Sequence, residues 1–555
     1  MFEFDLSQFE NERFFNTAGP IKKKLHYYLP PLERFDLREI LGLIRQEKYF
    51  ILHAPRQVGK TTFMMALMDF LNQSGRYKAL YVNVETAQAN REDVDDAMHE
   101  ILRSFAREEK LYLQDSFIQD NWQSISKNHG GSGTLNELLT AWAQSSPKPI
   151  VLMLDEVDAL IGDTLISLLR QLRSGYASRP RGFPHSIILC GIRDVRDYRI
   201  HSSREKTIIT GGSAFNIKAK SLRMGDFTKE ETHTLYQQHT EATGQPFTQD
   251  ALDLLWDLTQ GQPWIVNAMG YELTYEMHEN RDRTVTLTAN MVNVAKERLI
   301  QRRDTHLDQL TDKLKEPRVK EVIGPILSSK GEIDLVDNDN IAYVRDLGLI
   351  RRFGKQLQIA NPIYSEIIPR ELNYSTQFKI THETEWYVND DGRLNMPKLL
   401  EAFQQFFRRH SESWVERFDY KEAGPQLLMQ AFLQRIVNGG GRIEREYGFG
   451  RERTDLYVHW PIQPQNDPPI ESVQWDYHTL SDVQTIVIEL KIRYGDLEQV
   501  IQKGLQQTHG YMDKSEAEEG HLLIFDRSVQ KRTWDEKIFV RTEAYEGKTI
   551  MVWGM

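Results

Sequence analysis

The spacing of hydrophobic and polar positions changes along this chain, and each change predicts a different kind of element. Up to about residue 227, short apolar runs alternate with longer segments in which apolar residues recur every three or four positions. The short runs predict buried strands, and the longer segments predict amphipathic helices. The strands are expected at residues 49–54, 79–85, 149–156 and 185–192, and the helices at 36–46, 61–72, 93–108, 135–144 and 163–173. Strands that alternate with helices build a parallel sheet with helices on both faces.

The pattern becomes helical after residue 228. Helices are expected over 247–259 and 264–279, separated by Gly261 and Pro263. Farther on, helical stretches lead to a short hairpin at 349–360, and helices followed by a two-stranded hairpin suggest a winged helix. The last part of the chain has helices at its start and strands later, with a polar, proline-rich insertion between them.

These changes of pattern predict a multidomain α/β protein. A length of 555 residues agrees with this, because such a chain is too long for one hydrophobic core. The expected parts are an N-terminal lead-in at 1–45, a core with a parallel sheet at 46–227, a helical subdomain at 228–312, a winged-helix-like domain at 313–372, a linker at 373–395 and a second α/β domain at 396–555.

Composition narrows the class of protein without changing this organisation. Hydrophobic residues make up 40% and charged residues 27%, which is ordinary for a soluble globular protein. The single cysteine, Cys190, excludes an intramolecular disulfide and fits a reducing compartment. The N-terminus is acidic where a secretory signal would be basic, and the apolar runs are shorter than a membrane span. We therefore expect a cytoplasmic protein with no membrane partner.

The net charge of −11 argues against a protein that binds nucleic acid broadly and without specificity. It does not exclude a nuclease, because catalytic metal sites are built from carboxylates and basic patches can be local. Two basic stretches, at 179–206 and 298–320, are either such patches or solvated helix surfaces.

The segment HAPRQVGKTTF, residues 53–63, has the pattern of a phosphate-binding loop, which reads G-x-x-x-x-G-K-[ST] between a strand and a helix. Ala54 stands where the first glycine is usual, and Gly59, Lys60 and Thr61 match. The glycine lets backbone N–H groups turn toward phosphate oxygens, the lysine reaches the β- and γ-phosphates, and the threonine hydroxyl binds Mg²⁺. The expected nucleotide-binding residues are Pro55, Arg56, Gln57, Val58, Gly59, Lys60, Thr61 and Thr62.

Two acidic residues follow the apolar run of VLMLDE, residues 151–156. A buried strand that ends in Asp155 and Glu156 delivers both to the carboxyl edge of the sheet, where ligands bind in such folds. Asp155 is expected to hold Mg²⁺ together with Thr61, and Glu156 to polarise the attacking water. With the loop at 53–63, this pair predicts a site for ATP and Mg²⁺.

On these motifs, residues 20 to about 370 resemble the AAA-like and STAND-like P-loop ATPases, whose variant loop Arg56 and Gln57 match. The resemblance implies a sensor residue in GIRDVRD, for which Arg193 is the candidate and Asp194 the alternative. It also implies that Pro263 begins a helix beside the nucleotide, with an ordinary helix break as the alternative. A homo-oligomer is expected, and its arginine finger is left open among Arg170, Arg173 and Arg196.

The strand TIVIELKI, residues 485–492, carries two charges within an apolar run. By the alternation of a strand, Glu489 and Lys491 lie on one face. Burying two charges without partners is costly, so a ligand or a partner is expected for them. With Asp455 in the earlier strand TDLYV, Glu489 is expected to bind Mg²⁺ or Mn²⁺, while Lys491 orients water and stabilises phosphate charge.

This D…ExK pattern, within residues 396 to about 530, resembles the PD-(D/E)xK nucleases. Gly450 and Arg453, before the aspartate, are similar to the G-R-x-D-L stretch of nuclease domains attached to AAA-like ATPases. Gln507 and Tyr511, spaced i, i+4 on a helix, are similar to the Q-x-x-x-Y motif of the RecB branch.

Two features of this region depart from the usual pattern. The family often has an upstream acidic ligand, for which Glu422 and Glu446 are both open. A long insertion also separates Asp455 from Glu489 and must be looped out. The alternative to an active site is a structural fold in which Glu489 and Lys491 form a salt bridge, or a domain that binds metal without cutting.

Together the two sites predict an ATPase-coupled nuclease of prokaryotic type that acts on nucleic acid, DNA rather than RNA, by analogy with defence or mobile-element proteins. One alternative is a nucleotide-switched signalling or scaffold ATPase with an inert nuclease domain. Another is a DNA translocase or transposition helper. In the hairpin, Arg351, Arg352 and Lys355 either contact phosphate or belong to a packing module that faces protein, and packing is favoured.

Overall fold

The structure is a computed structural model that describes most of the chain. The described residues are 12–90, 93–194, 199–202, 207–302, 312–327, 339–354, 356–377, 387–415, 424–437, 442–449, 452–462, 483–526 and 532–555. Their side chains are described except at 199–202, 207–208, 301, 370–377, 409–415, 424–426, 434–437, 442–449 and 452–455. The chain divides into a first unit, Met1–Thr286 with Asp337–Leu349, and a second unit, Leu287–Val336 with Ile350–Met555.

The first unit is built on a parallel sheet whose inner strands follow the apolar runs of the sequence. The strands are β1 (Tyr49–His53), β2 (Lys78–Asn83), β3 (Ile150–Asp155), β4 (Ser186–Gly191), the separate hairpin β5 (Arg199–Ser202) and β6 (Thr207–Thr210), and β7 (Lys218–Arg223). The sheet has the order β2-β3-β4-β1-β7, and all its neighbours are parallel. The carboxyl ends of β1 and β3 therefore meet at one edge, and the predicted parallel sheet is confirmed.

Helices cover both faces of this sheet. The helices α1 (Leu37–Arg45) and α2 (Lys60–Gln73) pack on one face with strand residues such as Leu52 and Met153. The other face, which includes Ile51 and Leu152, packs against α3 (Val94–Glu108), α4 (Phe117–His129), α5 (Thr134–Ser145) and α6 (Gly162–Ser174). Successive strand residues enter opposite clusters, which is why the inner strands are apolar without interruption.

Some elements of the first unit differ from the prediction. The edge strand β7, with the sequence KAKSLR, has no apolar run, because its side chains are all at least partly exposed. After α7 (Gly211–Ala214), α8 (Lys229–Thr243) and α9 (Gln249–Thr259) comes α10, Pro263–Tyr271. The helix expected over 264–279 is thus shorter, since a π-helical turn, Glu272–Glu276, follows α10 directly.

The N-terminal lead-in packs against these helices. Phe15 is fully buried, with its ring 4.9 Å from that of Tyr27 and 5.3 Å from that of Tyr236 in α8. A Cβ atom at Gly270 in α10 would lie 2.6 Å from the Phe15 ring, so glycine is required for this approach. The hydroxyl of Tyr27 is 3.1 Å from Nδ1 of His239. The lead-in therefore contacts both α8 and α10.

The region expected to form a winged helix is divided between the units. The helix α11 (Ala289–Arg302) lies before this region. Within it, α12 (Pro317–Leu327) precedes α13 (Asp339–Asp346), and the hairpin β8 (Ile350–Phe353) and β9 (Gln356–Ile359) leads to α14 (Pro362–Gln377). Of these, α13 belongs to the first unit and the rest to the second. In the second unit, Lys296 of α11 and Glu366 of α14 form a buried ion pair of 2.7 Å. The winged helix stays a prediction.

The second unit also contains a mixed sheet, which is the further α/β domain that the sequence predicts. Its strands are β10 (Arg442–Phe449), β11 (Glu452–Pro461), β12 (Val483–Arg493), β13 (Glu519–Asp526), β14 (Phe539–Tyr545) and β15 (Lys548–Gly554). Their order is β10-β11-β12-β13-β15-β14. The neighbours β12, β13 and β15 are parallel, and the other pairs are antiparallel.

Helices cover both faces of this second sheet as well. The helices are α15 (Met396–Val415), α16 (Gly424–Val437), α17 (Leu497–Lys514) and the short α18 (Trp534–Lys537). Leu505 of α17 joins a cluster with Val487 and Leu522 on one face. On the other face, Phe403 of α15 contacts Phe432 of α16 and Phe525 of β13. Within the described ranges, no helix has both the length and the apolar character needed to cross a bilayer.

Candidate functional sites

The phosphate-binding loop joins the end of β1 to the start of α2. Within it, Gln57 and Gly59 have positive φ values of 57° and 103°. A φ near 103° is accessible to glycine and strained for other residues, so Gly59 is required by the backbone. In this fully described loop, Ala54 is not among the residues with positive φ, and so a side chain fits where the usual loop has glycine. The first turn of α2 adds backbone N–H groups and the positive end of its dipole.

Lys60, the first residue of α2, is held inside the loop. Its side chain is buried, and Nζ donates hydrogen bonds of 2.9 Å to the carbonyl oxygens of Ala54 and Pro55. Arg56 and Gln57 are exposed at the tip, while Val58 is buried beneath them. The loop therefore carries one ammonium group on its inner side, where it can offset the charge of a bound phosphate.

Thr61 and Asp155, predicted to share Mg²⁺, are in contact. The hydroxyl of Thr61 donates to Oδ2 of Asp155 over 2.7 Å, and the hydroxyl of Tyr81 donates to the same oxygen over 3.0 Å. The backbone N–H of Glu156 donates to Oδ1 over 3.0 Å. Asp155 is fully buried, so these donors hold its carboxylate in one orientation. A hydroxyl and a carboxylate are hard oxygen donors that suit Mg²⁺.

Tyr81 is a site residue that the sequence reasoning missed. It lies on β2 beside Met153 of β3, two residues before Asp155. Burial, with the nearby carboxylate adding to it, raises the pKa of Tyr81 far above its usual value, so the phenol stays a neutral donor. The available signal was a tyrosine within the otherwise aliphatic core of KALYVN, on a strand predicted to belong to the same sheet.

Glu156 combines a strained backbone with a perturbed carboxyl group. Its φ of 56° is unusual for a residue other than glycine. Burial, chiefly, and the neighbouring Asp155 raise the pKa of Glu156 to about 7. A carboxyl group with a raised pKa beside a buried aspartate is suited to accept a proton from water.

A second residue missed from the sequence, Arg34, connects the lead-in to the loop. Its Nη1 donates to the carbonyl of Val58 over 3.4 Å, and its Nη2 donates to the carbonyl of Gly225 over 2.5 Å. Its guanidinium lies 4.4 Å from the ring centre of Phe227, whose backbone N–H donates to the carbonyl of Gly261 over 2.8 Å. The loop is thereby linked to the turn before Pro263.

Pro263 is buried and is the first residue of α10. The side chain of Gln262 caps this helix by accepting from the backbone N–H of Ile265 over 2.6 Å. The described contacts therefore explain Pro263 as a helix start, and its position beside the nucleotide stays a prediction.

Arg193 and Asp194 follow β4 at the same edge as the loop. The Arg193 guanidinium lies 4.7 Å from the ring centre of Tyr343 in α13. Asp194 is buried and forms an ion pair of 2.5 Å with Lys218. Either residue can still be the sensor. Among the arginine-finger candidates, Arg170 and Arg173 are exposed on α6, and Arg196 lies outside the described residues.

Helix α13 and the turn after it, which we call the docked segment (residues 339–349), reach this edge of the first unit. Arg223, the last residue of β7, donates from Nη2 to the carbonyl of Arg345 over 3.2 Å, and its Nε lies 3.8 Å from Oδ1 of Asp346. Gly348 has a φ of 78°, and a Cβ atom there would be 2.8 Å from the side chain of Pro55. The docked segment thus touches the phosphate-binding loop.

In the second unit, Glu489 and Lys491 lie on β12, inside the sheet. Glu489 is 3% exposed, and Nζ of Lys491 donates to its Oε1. Each charge therefore has a partner, as the sequence analysis predicts for two charges within an apolar strand. By itself this contact fits both readings of the pair, the catalytic one and the structural one.

The strand registers align further acidic positions with Glu489. The register of β11 and β12 places position 455 opposite 489, and the register of β10 and β11 places position 446 opposite 455. Opposite residues of antiparallel strands share a face. Positions 446, 455 and 489 therefore form a row across the three strands. The side chains of Asp455, Glu446 and Arg453 are outside the described ones, and Glu422 and Gly450 are outside the described residues.

Helix α17 packs on the face that contains this row. Tyr511 is buried in the cluster with Val487, whereas Gln507, one turn earlier, is exposed. Of these two residues, only Tyr511 is packed between α17 and the sheet. Among the side chains that are described, no group of three His, Cys, Asp or Glu residues is placed to hold a metal ion.

Comparison with known proteins identifies the first part of the chain. A family model described as "AAA-like domain" matches residues 19–369, more than half of the chain. This confirms the AAA-like part of the resemblance, while the nuclease part stays a prediction. A search of the curated proteins found no match.

Several solved structures are similar to this chain at low identity. A Walker-type ATPase of Pyrococcus abyssi is 13% identical, with 64% of this chain and 99% of that chain covered and a TM-score of 0.43. Cdc6p of Pyrobaculum aerophilum is 14% identical, with 67% and 99% covered and a TM-score of 0.35. A RuvB variant of Thermotoga maritima is 12% identical, with 60% and 94% covered and a TM-score of 0.32. These likenesses are too weak to add to the family match.

Proposed function

This chain belongs to the AAA-like domain family, and on that premise we propose that its first unit binds ATP with Mg²⁺ and hydrolyses the γ-phosphate. The observation that carries the proposal is the contact of Thr61 with Asp155, with Glu156 beside them. Thr61 and Asp155 would hold Mg²⁺, Lys60 would offset phosphate charge, and Glu156 would accept a proton from the attacking water. Mg²⁺ at this site would supply positive charge that offsets the negative charge of the phosphate oxygens.

We further propose that the second unit carries a metal-dependent nuclease site of the PD-(D/E)xK type. Glu489 is buried within the sheet and pairs with Lys491, whose side chain is 25% exposed, and a buried charge of this kind stabilises a fold little more than an apolar residue of similar volume would. A functional reason for these two charges is therefore favoured. The row formed with position 455 supports Asp455 and Glu489 as metal ligands.

The same row favours Glu446 over Glu422 as the upstream acid, because its position lies directly opposite 455. Carboxylate oxygens suit Mg²⁺ or Mn²⁺, and either ion would polarise the phosphate and the attacking water. Lys491 would stabilise the charge of the phosphate, and Tyr511 and Gln507 would flank the site from α17. The substrate would be nucleic acid, DNA rather than RNA, and a homo-oligomer is part of the proposal.

The docked segment supports a control of the C-terminal site by ATP. It touches Pro55 within the phosphate-binding loop, and its neighbours in sequence on both sides belong to the second unit. A change in the loop on nucleotide binding would therefore act on a segment that is covalently joined to the second unit. We propose this segment as the connection through which ATP controls cleavage.

The test is cleavage of plasmid and single-stranded DNA with Mg²⁺ or Mn²⁺, with and without ATP. Wild type is compared with Lys60→Ala and Lys491→Ala, and ATP binding is measured in parallel. We expect Lys491→Ala to abolish cleavage without changing ATP binding, and Lys60→Ala to remove the effect of ATP on cleavage. Wild type that binds no ATP and cuts neither DNA nor RNA would contradict both proposals.

A second candidate function is a nucleotide-switched scaffold with an inert nuclease-like domain. The direct contact of Lys491 with Glu489 favours it, because that contact gives each charge a partner without a ligand. In this case Lys491→Ala changes the stability of the second unit and nothing else, while ATP hydrolysis remains. The same set of variants therefore separates the two functions.

A further inference from the structure

A second group of charged residues, Arg493, Asp526 and Arg532, lies near Glu489 and Lys491, toward the carboxyl ends of β12 and β13. Arg493 is two residues after Lys491 on β12, and so it is on the same face, about 7 Å closer to the end of the strand. The register of β12 and β13 places it next to Asp526, the last residue of β13. The side chains of Arg493 and Asp526 are 9% and 4% exposed.

Asp526 is shared by two arginines. Its Oδ2 accepts from Nη1 of Arg493 and from Nη1 of Arg532, each over 3.1 Å. Nε of Arg493 also donates to the carbonyl of Gly495 over 2.9 Å, which fixes the turn before α17. Two guanidinium groups surround this carboxylate, and the charge of Arg532 also acts on Glu536. The Arg532 side chain is 25% exposed, so its charge reaches solvent.

The position and the chemistry of this group point to a phosphate. The neighbours β12 and β13 are parallel, and ligands of parallel strands bind outside their carboxyl ends, where Arg493 and Asp526 lie. A guanidinium donates two parallel hydrogen bonds to phosphate oxygens. A purely structural clamp between the strands would need one arginine for one carboxylate. The second arginine adds a charge that the clamp does not require.

We propose that Arg532 binds a backbone phosphate of the nucleic acid beside the phosphate that is cut, and that Arg493 and Asp526 are positioning residues that hold the Arg532 side chain. The inference rests on the proposed nuclease function and adds to it a contact that strengthens substrate binding. Phosphate contacts carry no sequence information, so Arg532 contributes equally on different sequences.

The experiment measures binding of a labelled DNA duplex and of its single strand to the full chain at several salt concentrations. All proteins carry Lys491→Ala, which prevents cleavage during the measurement. The variants are Arg532→Gln and Arg532→Lys. The control is Arg541→Gln on the opposite edge strand β14, where Arg541 forms an exposed ion pair with Glu498.

We expect Arg532→Gln to weaken binding about tenfold on unrelated sequences and to reduce the slope of log K against log salt by about one. Arg532→Lys keeps the charge, so its slope stays close to that of the parent. Arg541→Gln leaves both quantities unchanged. In cleavage assays with Lys491 intact, Arg532→Gln raises KM by a larger factor than it lowers kcat.

Two results would overturn the inference while leaving the nuclease in place. One is an unchanged affinity and salt slope in Arg532→Gln, in a protein whose cleavage depends on Lys491. The other is a lower affinity with an unchanged slope, which would indicate a structural effect alone. A wild-type protein that neither binds nor cuts DNA would instead contradict the proposed function, and the inference with it.

Discussion

At the scale of single residues, Asp155 is a buried carboxylate held in one orientation, as the proposed Mg²⁺ site requires. It accepts from the Thr61 hydroxyl, the Tyr81 phenol and the backbone N–H of Glu156, and it is fully buried. Hydrogen bonds to a buried anion offset the loss of its hydration and fix its direction. In the proposed Mg²⁺ site, the phenol would orient the Asp155 carboxylate without binding the metal itself.

Tyr81→Phe is expected to weaken the response to Mg²⁺ while leaving the fold in place. The change removes only the hydroxyl that donates to Asp155 over 3.0 Å. Losing such an orienting partner reduces metal affinity about tenfold. The measurement is the Mg²⁺ concentration that gives half-maximal ATP hydrolysis. The control is Tyr77→Phe, which removes a hydroxyl from the residue directly before β2. Equal Mg²⁺ curves for both variants would argue against the role of Tyr81.

Glu109 is a buried carboxyl group outside the proposed sites. It is fully buried, and its Oε2 accepts from the backbone N–H of Ile118 over 2.7 Å. Burial raises the pKa of Glu109 from 4.5 to about 7. The folded state then binds this proton more tightly than the unfolded state, so the contribution to stability is highest below pH 4.5 and falls as the pH rises to about 7.

Glu109→Gln is expected to remove this loss of stability. An amide oxygen can still accept from Ile118, and no charge is buried at high pH. We expect the first unit to gain about 1–2 kcal/mol at pH 8 and much less at pH 5. Urea unfolding at the two pH values measures the difference. Glu137→Gln, at an exposed position of α5, is the control. A gain of equal size at both pH values would show that titration is not its cause.

At the scale of elements, α13 belongs to a different unit from the residues that precede and follow it in the sequence. It is flanked on both sides by residues of the second unit, yet it packs in the first. Tyr343, Asp346 and Gly348 contact Arg193, Arg223 and Pro55 respectively. In a winged helix that reads DNA, the helix before the wing enters the groove. In the predicted winged helix this would be α13, and its contacts with Arg193, Arg223 and Pro55 favour the packing interpretation.

Asp346→Asn is expected to weaken the coupling of ATP to cleavage. Asp346 is 5% exposed and pairs with Arg223, so an isosteric amide removes the charge without leaving a cavity. The ratio of cleavage rates with and without ATP is expected to move about fivefold closer to one. ATP affinity, measured in parallel, is expected to stay unchanged, because Asp346 is not among the residues proposed to bind the nucleotide. Asp339→Asn, exposed in the first turn of the same helix, is the control. An unchanged ratio in Asp346→Asn would remove the docked segment from the proposal.

At the scale of the whole molecule, the chain divides into two units, and each contains one of the two proposed sites. The first unit holds the phosphate-binding loop and the acids after β3, and the second holds the row across β10, β11 and β12. Each unit has its own sheet and its own buried clusters. Two units with separate cores are expected to unfold in separable steps, since two-state behaviour is a property of single domains.

Mg²⁺-ATP is therefore expected to raise the unfolding temperature of one transition more than that of the other. A ligand at about 100 times its Kd stabilises the state that binds it by about 2.7 kcal/mol. Differential scanning calorimetry with and without Mg²⁺-ATP measures the shift in each transition. The transition of the first unit is the one whose shift is lost in Lys60→Ala. A shift of the same size in Lys60→Ala would mean that ATP binds elsewhere.

Local chemistry and periodicity were readable from the sequence. The inner strands of the first sheet are apolar without interruption because both of their faces are buried, and so the prediction found them. The phosphate-binding loop was found because its chemistry depends on neighbours in sequence: Gly59 supplies a backbone angle, and Lys60 and Thr61 follow on the first turn of α2. The ExK pair was found for the same reason, since alternation along one strand fixes a shared face.

Contacts between distant residues were decided by the tertiary structure alone. Tyr81 reaches Asp155, Arg34 reaches Val58, and Arg532 reaches Asp526 across separate elements. A hydrophobic pattern specifies which face of an element is buried, but it does not specify the neighbour or the register against it. The polar edge strand β7, the docking of α13 and the alignment of Glu446 with Asp455 depend on that neighbour, because pairing between strands and packing between helices are set by the complete fold.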